Sequence, residues 1–245
     1  MKKVLLITDN EALLSRYQKL VKQKKLDQSE DYAFEYAFSF RNKAMKEKYA
    51  GQDWIRPVNV KTETEELVSA YDLIFSLHCK QLFPAALVSG VRCVNVHPGL
   101  NPHNRGWFPQ VFSIINGKPS GATIHEIDED LDHGGIIAQK EVKIESWDTS
   151  LTAYNKILDA EIELLDTHLE AILAGTYETT SPEEGNLNLK KDFDALCQID
   201  MEETSTFREH IDRLRALTHG QYENAYFIDE EGNKIYLKLE LRREE

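Results

Sequence analysis

Lys2–Thr8 reads K-K-V-L-L-I-T, an apolar run with no polar residue alternating into it. A strand of that kind is buried on both faces, and such a sheet needs helices packed against each face. The chain repeats the device at Leu73–Leu77 and at 91–96; 34–40 alternates as F-E-Y-A-F-S-F, and a short candidate lies at 58–60. Between them, Glu11–Gln23 carries Leu13, Leu14, Tyr17 and Leu20 on one helical stripe. A basic helix is predicted at 41–50, and one at 62–70 with Glu near its start, where the helix dipole favours it. The expectation is an α/β fold: a mostly parallel, doubly wound, Rossmann-like sheet. No G-x-G-x-x-G follows the first strand, so the βαβ start does not imply NAD.

The chemistry is densest between residues 91 and 139. Asn95 and His97 are two apart, so on a strand their side chains share a face. Pro98-Gly99 then ends the strand, which leaves His97 at its carboxyl end, where open α/β sheets bind ligands. An amide there can donate to a developing oxyanion, and an imidazole can move a proton. L-D-H-G-G at 131–135 is a polar loop before a predicted strand at 136–144. Asp132 in it can orient His97 or stabilise its charged form. Two other readings stand beside this one. Asn, His and Asp next to Gly and Pro are ordinary turn residues. His97, His103, Asp132 and His133 could ligate a metal, but they lack the close spacing of zinc motifs such as H-E-x-x-H.

N-V-H-P-G-L-N-P-x-x-R-G followed by G-A-T-I-H-E-I-D-x-x-L-D-H-G-x-I-I resembles the 10-formyltetrahydrofolate-dependent formyltransferases. The stretch N-P-H-N-R-G-W-F-P-Q is similar to the version in nucleotide-sugar N-formyltransferases of bacterial surface-polysaccharide (O-antigen) synthesis. The resemblance runs from about Asp72 to Phe227. It implies Asn95, His97 and Asp132 as the catalytic set, and 10-formyltetrahydrofolate as cosubstrate with no metal. It implies a pterin pocket lined by the loop after 73–77 and the segment near Asp128, carried here by Leu77, Cys79, Leu82 and Asp128. Arg105, at the end of the first motif half, and Trp107, just after it, are then expected to meet the sugar. The run R-A-L-T-H-G-Q-Y brings in Arg213, Arg215 and Tyr222 as phosphate or base contacts, Arg being suited to a diphosphate by its fork. The alternatives for these are inward packing for Trp107 and a solvated helix face for the arginines.

The implied acceptor is a dTDP-linked amino-dideoxyhexose, in first place dTDP-4-amino-4,6-dideoxyglucose. The 3-amino isomer, methionyl-tRNA and glycinamide ribonucleotide are the other acceptors the group offers, and a non-catalytic folate- or nucleotide-binding module is a rival of another class. A net charge of −13 opposes binding to a phosphate backbone, so no nucleic-acid partner is expected. Three cysteines without C-x-x-C predict a reducing compartment. The first apolar run stops at Thr8, too early for a signal peptide, and no run approaches membrane-spanning length; a cytoplasmic protein without a membrane partner is expected.

A long helix is predicted from Thr149 or Ser150 to Ala174, stopped by Gly175, and a helix at 107–116 with Pro109 in its first turn. The polar stretch 179–188 divides the chain into an expected catalytic domain, 1–180, and a small C-terminal part, 181–245. The latter reads as a helix at 204–217 and two strands at 222–228 and 234–241 joined by a Gly-containing turn. By resemblance it forms a homodimer.

Overall fold

A computed structural model describes residues 1–244. In chain order it has β1 (Lys2–Thr8), α1 (Glu11–Gln23), β2 (Tyr32–Ser39), α2 (Lys43–Lys48), β3 (Ile55–Val58), α3 (Thr64–Ala70), β4 (Leu73–Leu77), α4 (Ala85–Gly90), β5 (Arg92–His97), β6 (Arg105–Gly106), α5 (Pro109–Asn116), β7 (Gly121–Glu126), β8 (Ile136–Glu141), α6 (Ser150–Ala174), β9 (Leu187–Asn188), α7 (Lys190–Cys197), α8 (Phe207–Leu217), β10 (Ala225–Ile228) and β11 (Lys234–Leu237). The chain forms two compact units. Among the described residues, one comprises 1–97, 123–139 and 161–182; the other comprises 98–122, 140–160 and 183–244.

The first unit is built on the seven-stranded sheet, in the order β3-β2-β1-β4-β5-β7-β8. β3, β2, β1, β4 and β5 are parallel, and β5 pairs antiparallel with β7. The fold is thus the mostly parallel α/β architecture that the apolar strands demand. Both faces are covered. Leu5, Ile7, Ile74 and Cys93 pack on one side with Leu67 of α3 and Leu87 of α4. On the other, the Phe75 ring lies 5.9 Å from that of Tyr17 of α1. Asn10 starts α1 by accepting from the Leu13 amide at 3.1 Å. β3 lies at 55–58 rather than 58–60. It is an edge strand, where the missing N–H of Pro57 leaves no ladder bond broken.

The second unit packs α5 against α8 through Val111, Ile114 and Ala216, with Phe108 and Phe193 stacked at 4.3 Å. α5 begins at Pro109 rather than 107, because Phe108 takes a left-handed conformation (φ 51°) that a helix cannot contain. Thr206 and Glu209 form a capping box that starts α8 at Phe207. β11 stops at Leu237, four residues before the predicted end. α7 and the β6–β9 pair have no counterpart in the sequence reading.

Asp148, just ahead of α6, organises the start of that helix. Its carboxylate accepts from the Glu145 amide at 2.7 Å, Thr152 Oγ1 at 3.0 Å and Lys156 Nζ at 2.6 Å. Burial pushes its pKa up, but these donors outweigh it and hold the group below the usual carboxylate value. The stabilisation is therefore complete above the unfolded-state pKa and is lost as pH falls through the lowered folded value. Asp148→Ala is expected to cost about 1–3 kcal/mol at neutral pH, with the gap to wild type shrinking in acid. Urea melts at neutral pH and at about pH 3 test this; a pH-independent gap would contradict it.

Candidate active site

β5 and β7 run side by side in opposite directions, with Asn95 opposite His125 and His97 opposite Thr123. Opposed residues in such a pair present their side chains to one face, so these four polar groups share a patch of sheet. His97 and His125 are buried, and their rings lie 6.2 Å apart, edge to face. Asp132 reaches the patch from the loop after β7. It is 9% exposed, and its φ of 50° is a left-handed turn that few side chains adopt.

Asp132 is the centre of the cluster. Asn95 Nδ2 donates to its Oδ1 at 3.2 Å, and His97 Nδ1 faces its Oδ2 at 3.5 Å. His125 Nδ1 lies 2.6 Å from the Glu126 carbonyl. A carbonyl only accepts, so that nitrogen carries the proton. In the neutral ring Nε2 is then the acceptor that meets Asn95 Nδ2 at 3.2 Å. Both hydrogens of the Asn95 amide are thereby aimed, one at a carboxylate and one at an imidazole. This arrangement offers an amide donor, a carboxylate-backed imidazole and a second imidazole of fixed tautomer on one buried face. It suits acyl transfer, where an oxyanion develops and a proton must move.

Sequence reasoning passed over His125. Its signal was present: Thr123 and His125 alternate on one strand face, as Asn95 and His97 do, but alternation alone does not tell that the two strands are neighbours.

The residues expected to line a pterin pocket lie in the same unit. Leu77 is fully buried at the end of β4, Leu82 is 64% exposed, and the Asp128 carboxylate accepts from the Asp130 amide at 3.0 Å. Cys79 sits 3.6 Å from Ser39 Oγ, and burial pushes its thiol up to about 11. Beside them, His78 turns the chain with φ 56°, and its Nε2 lies 2.7 Å from the buried Glu161. Among the described residues no group of three or more His, Cys, Asp or Glu is arranged to hold a metal ion.

Arg105, Trp107, Arg213, Arg215 and Tyr222 lie in the second unit. Arg105 is buried, and Trp107 is 37% exposed against Phe108. Arg213 donates to the carbonyls of Leu196 and Gln198 and pairs with Glu203. Arg215 donates to Asp212 and to the Glu145 and Asp148 carbonyls. These contacts occupy both forks in bracing the unit. Tyr222 is 60% exposed and its ring lies 5.8 Å from His219. His219 in turn bonds Ser150 at 3.0 Å, and burial lowers its pKa, which favours the neutral ring.

The Asp132 loop tolerates no added bulk at Gly134, where a Cβ would stand 1.9 Å from the Glu126 carbonyl oxygen. Gly134→Ala is expected to lower stability by about 1–3 kcal/mol, read as a drop in Tm; an unchanged melt would contradict the close approach. Cys79, with its thiol near 11, carries only about one part in 10⁴ thiolate at neutral pH. It should stay unlabelled by iodoacetamide in the native protein and label on unfolding. Rapid native labelling would refute that environment.

Residues 4–169 match the Formyl transferase profile, and residues 192–243 match the N-formyltransferase dimerization C-terminal domain. A Mycobacterium tuberculosis protein named dTDP-4-amino-4,6-dideoxyglucose formyltransferase is 56% identical over 187 residues, which span 76% of this chain and 80% of that protein. The structure of a 4-N formyltransferase from Francisella tularensis superposes with a TM-score of 0.93 at 45% identity, covering 99% of this chain and 98% of that one. A sugar N-formyltransferase structure from a Shewanella species gives a TM-score of 0.94 at 45% identity over the whole of both chains. The chain belongs to the formyl transferase family.

Proposed function

We propose that this protein is a sugar N-formyltransferase. It moves the formyl group of 10-formyltetrahydrofolate to the amine of a dTDP-linked amino-dideoxyhexose, dTDP-4-amino-4,6-dideoxyglucose. The observation that carries the reading is the Asn95–His97–Asp132 cluster, its His97 and Asp132 buried, in a chain 56% identical to a protein named for that activity. Its product feeds bacterial surface-polysaccharide synthesis. The protein works in the cytoplasm, a setting in which the free thiols of Cys79, Cys93 and Cys197 stay reduced.

The donor set fits direct acyl transfer with no covalent intermediate on the protein. As the neutral amine bonds to the formyl carbon, one Asn95 N–H turns from its long contacts to the developing oxyanion. His97 takes the proton the amine sheds, through Nε2, while Asp132 at Nδ1 holds the ring and steadies its charge. Collapse breaks the bond to the folate nitrogen, which leaves with a proton. Holding two substrates in register supplies much of the rate. Leu77, Cys79, Leu82 and Asp128 are assigned to the pterin, Arg105 and Trp107 to the sugar, and Tyr222 to the nucleotide. Arg213 and Arg215 act on the nucleotide side by bracing the unit that carries Tyr222.

The catalytic part is 1–180 and the C-terminal part, 181–245, forms a homodimer. The dimerization-domain match at 192–243 supports this. So does apolar surface left on one unit: Phe207 is 88% exposed, and Ile211, Ile235 and Tyr236 are exposed with it.

The test is a turnover assay with 10-formyltetrahydrofolate and two acceptors, dTDP-4-amino-4,6-dideoxyglucose and its 3-amino isomer, reading tetrahydrofolate release and product mass. A formyl-sized gain on the 4-amino sugar is expected. Gain on the 3-amino sugar alone would move the position, and no gain on either would overturn the reading. Asn95→Ala, His97→Ala and Asp132→Ala are each expected to lose about 10²–10⁴-fold in kcat while still binding the nucleotide sugar. Near-normal turnover by the His97 variant would remove it as the base.

A further inference from the structure

The polar stretch 179–188 divides the sequence, but its second half is pinned to the loop that carries Arg105 and Trp107. Asn104 is the pin. It is fully buried and takes a left-handed conformation (φ 51°), which Asn adopts more readily than most residues. Its Oδ1 accepts from Asn116 Nδ2 at 2.8 Å, Asn186 Nδ2 at 2.7 Å and Asn188 Nδ2 at 3.3 Å. Its Nδ2 donates to Ser113 Oγ at 3.0 Å. In return, Asn186 Oδ1 accepts from the Asn104 amide at 3.0 Å. The Asn186 and Asn188 carbonyls accept from the Arg105 and Trp107 amides at 3.0 and 2.9 Å. The two segments lie so close that a Cβ on Gly185 would stand 1.9 Å from the Pro102 carbonyl oxygen. A buried network whose members are all satisfied makes a loop rigid.

What this clamp holds is a cation. Arg105 is 9% exposed, its Nε meets no hydrogen-bond partner, and no carboxylate pairs with its guanidinium among the described residues. Burying an arginine in that way is costly unless an anion meets it. Arg215 is buried too, but Asp212 and two carbonyls occupy it. Arg213 is likewise engaged, by Glu203 and the Leu196 carbonyl. Of the arginines expected at the acceptor, Arg105 is the one that keeps its charge for a ligand.

We propose that Asn186 is a positioning residue for the acceptor: through Asn104 it holds Arg105 ready for the diphosphate of the nucleotide sugar. The inference deepens the acceptor reading above and rests on it. A diphosphate offers paired oxygens that a guanidinium fork meets bidentately. A fork carried on a fixed backbone has less freedom to lose when it engages, so the clamp raises affinity without touching the ligand. The segment that joins the catalytic and C-terminal parts is thereby a component of the acceptor site, acting through the Asn104 side chain and the Arg105 backbone.

The test is equilibrium binding of dTDP, thymidine and 5-formyltetrahydrofolate, read by calorimetry, in wild type, Asn186→Ala, Arg105→Gln and the double variant. Thymidine has the base and ribose ring of dTDP without its phosphates. Each single variant is expected to bind dTDP about tenfold more weakly, with thymidine and the folate unchanged. The double variant is expected to lose no more than Arg105→Gln alone. A clamp that is only structural would weaken thymidine along with dTDP, or add its loss to that of Arg105→Gln; either result overturns the proposal. So does an unchanged dTDP affinity in either single variant. Should Asn186→Ala fail to fold, Asn104→Gly keeps the left-handed turn, removes the amide and carries the same predictions. A wild type that binds dTDP no more tightly than thymidine contradicts the Arg105 inference alone. One that binds the folate but neither dTDP nor thymidine contradicts the acceptor reading itself.

Discussion

The Asp132 carboxylate is nearly buried, and a carboxylate in that position must be met by donors or give up its charge. Asn95 and His97 meet it, and His125 on the neighbouring strand holds the Asn95 amide from the other side. The left-handed turn at Asp132 and the bare backbone of Gly134 exist to bring the carboxylate there. Remove it and the Asn95 amide loses one of its two anchors, while the His97 ring loses the carboxylate that faces its Nδ1. The geometry of the whole site depends on this one loop-borne anion.

The fold makes that loop possible. Parallel strands β1, β2, β4 and β5 end at the same sheet edge, so their following turns gather the polar residues there. The switch to antiparallel pairing at β7 places His125 and Thr123 against Asn95 and His97 with side chains on a shared face. The sheet is rigid because both faces are packed, so the small shifts that would spoil an acyl-transfer geometry are resisted. The same edge also gathers Arg41, Lys43, Lys61 and Lys80 from three successive turns.

What the sequence disclosed follows from which interactions are local. β1 and β4 declared themselves at their observed bounds because continuous apolar runs admit few other structures. The start of α6 was legible as Thr149 or Ser150, because a polar cap before an apolar stripe is a local signal. α7 was not: it is eight residues long, and its one stripe of Phe193, Leu196 and Cys197 is only half-buried and stands among charged residues. β6 and β9 are two residues each and exist only through pairing across 82 residues of chain, which no local pattern records. At the site, spacing put Asn95 and His97 on one strand face, and the family resemblance singled them out together with Asp132. His125 could not be read, since it takes the register of β5 against β7 to reveal what it faces. The arginines of α8 show the converse. Resemblance pointed to phosphate or base contacts there, and the backbone carbonyls that accept from Arg215, about 70 residues distant in sequence, are recorded by no local pattern.

The central claim is that Asp132 acts through His97, as one unit. The measurement that tests it most directly is a double-mutant cycle on kcat with Asp132→Asn and His97→Gln, singly and together. Groups that work as a unit are non-additive. The account predicts that the double variant loses scarcely more than the more damaged single variant. Losses that multiply would mean that the carboxylate and the imidazole act independently, and would contradict the account.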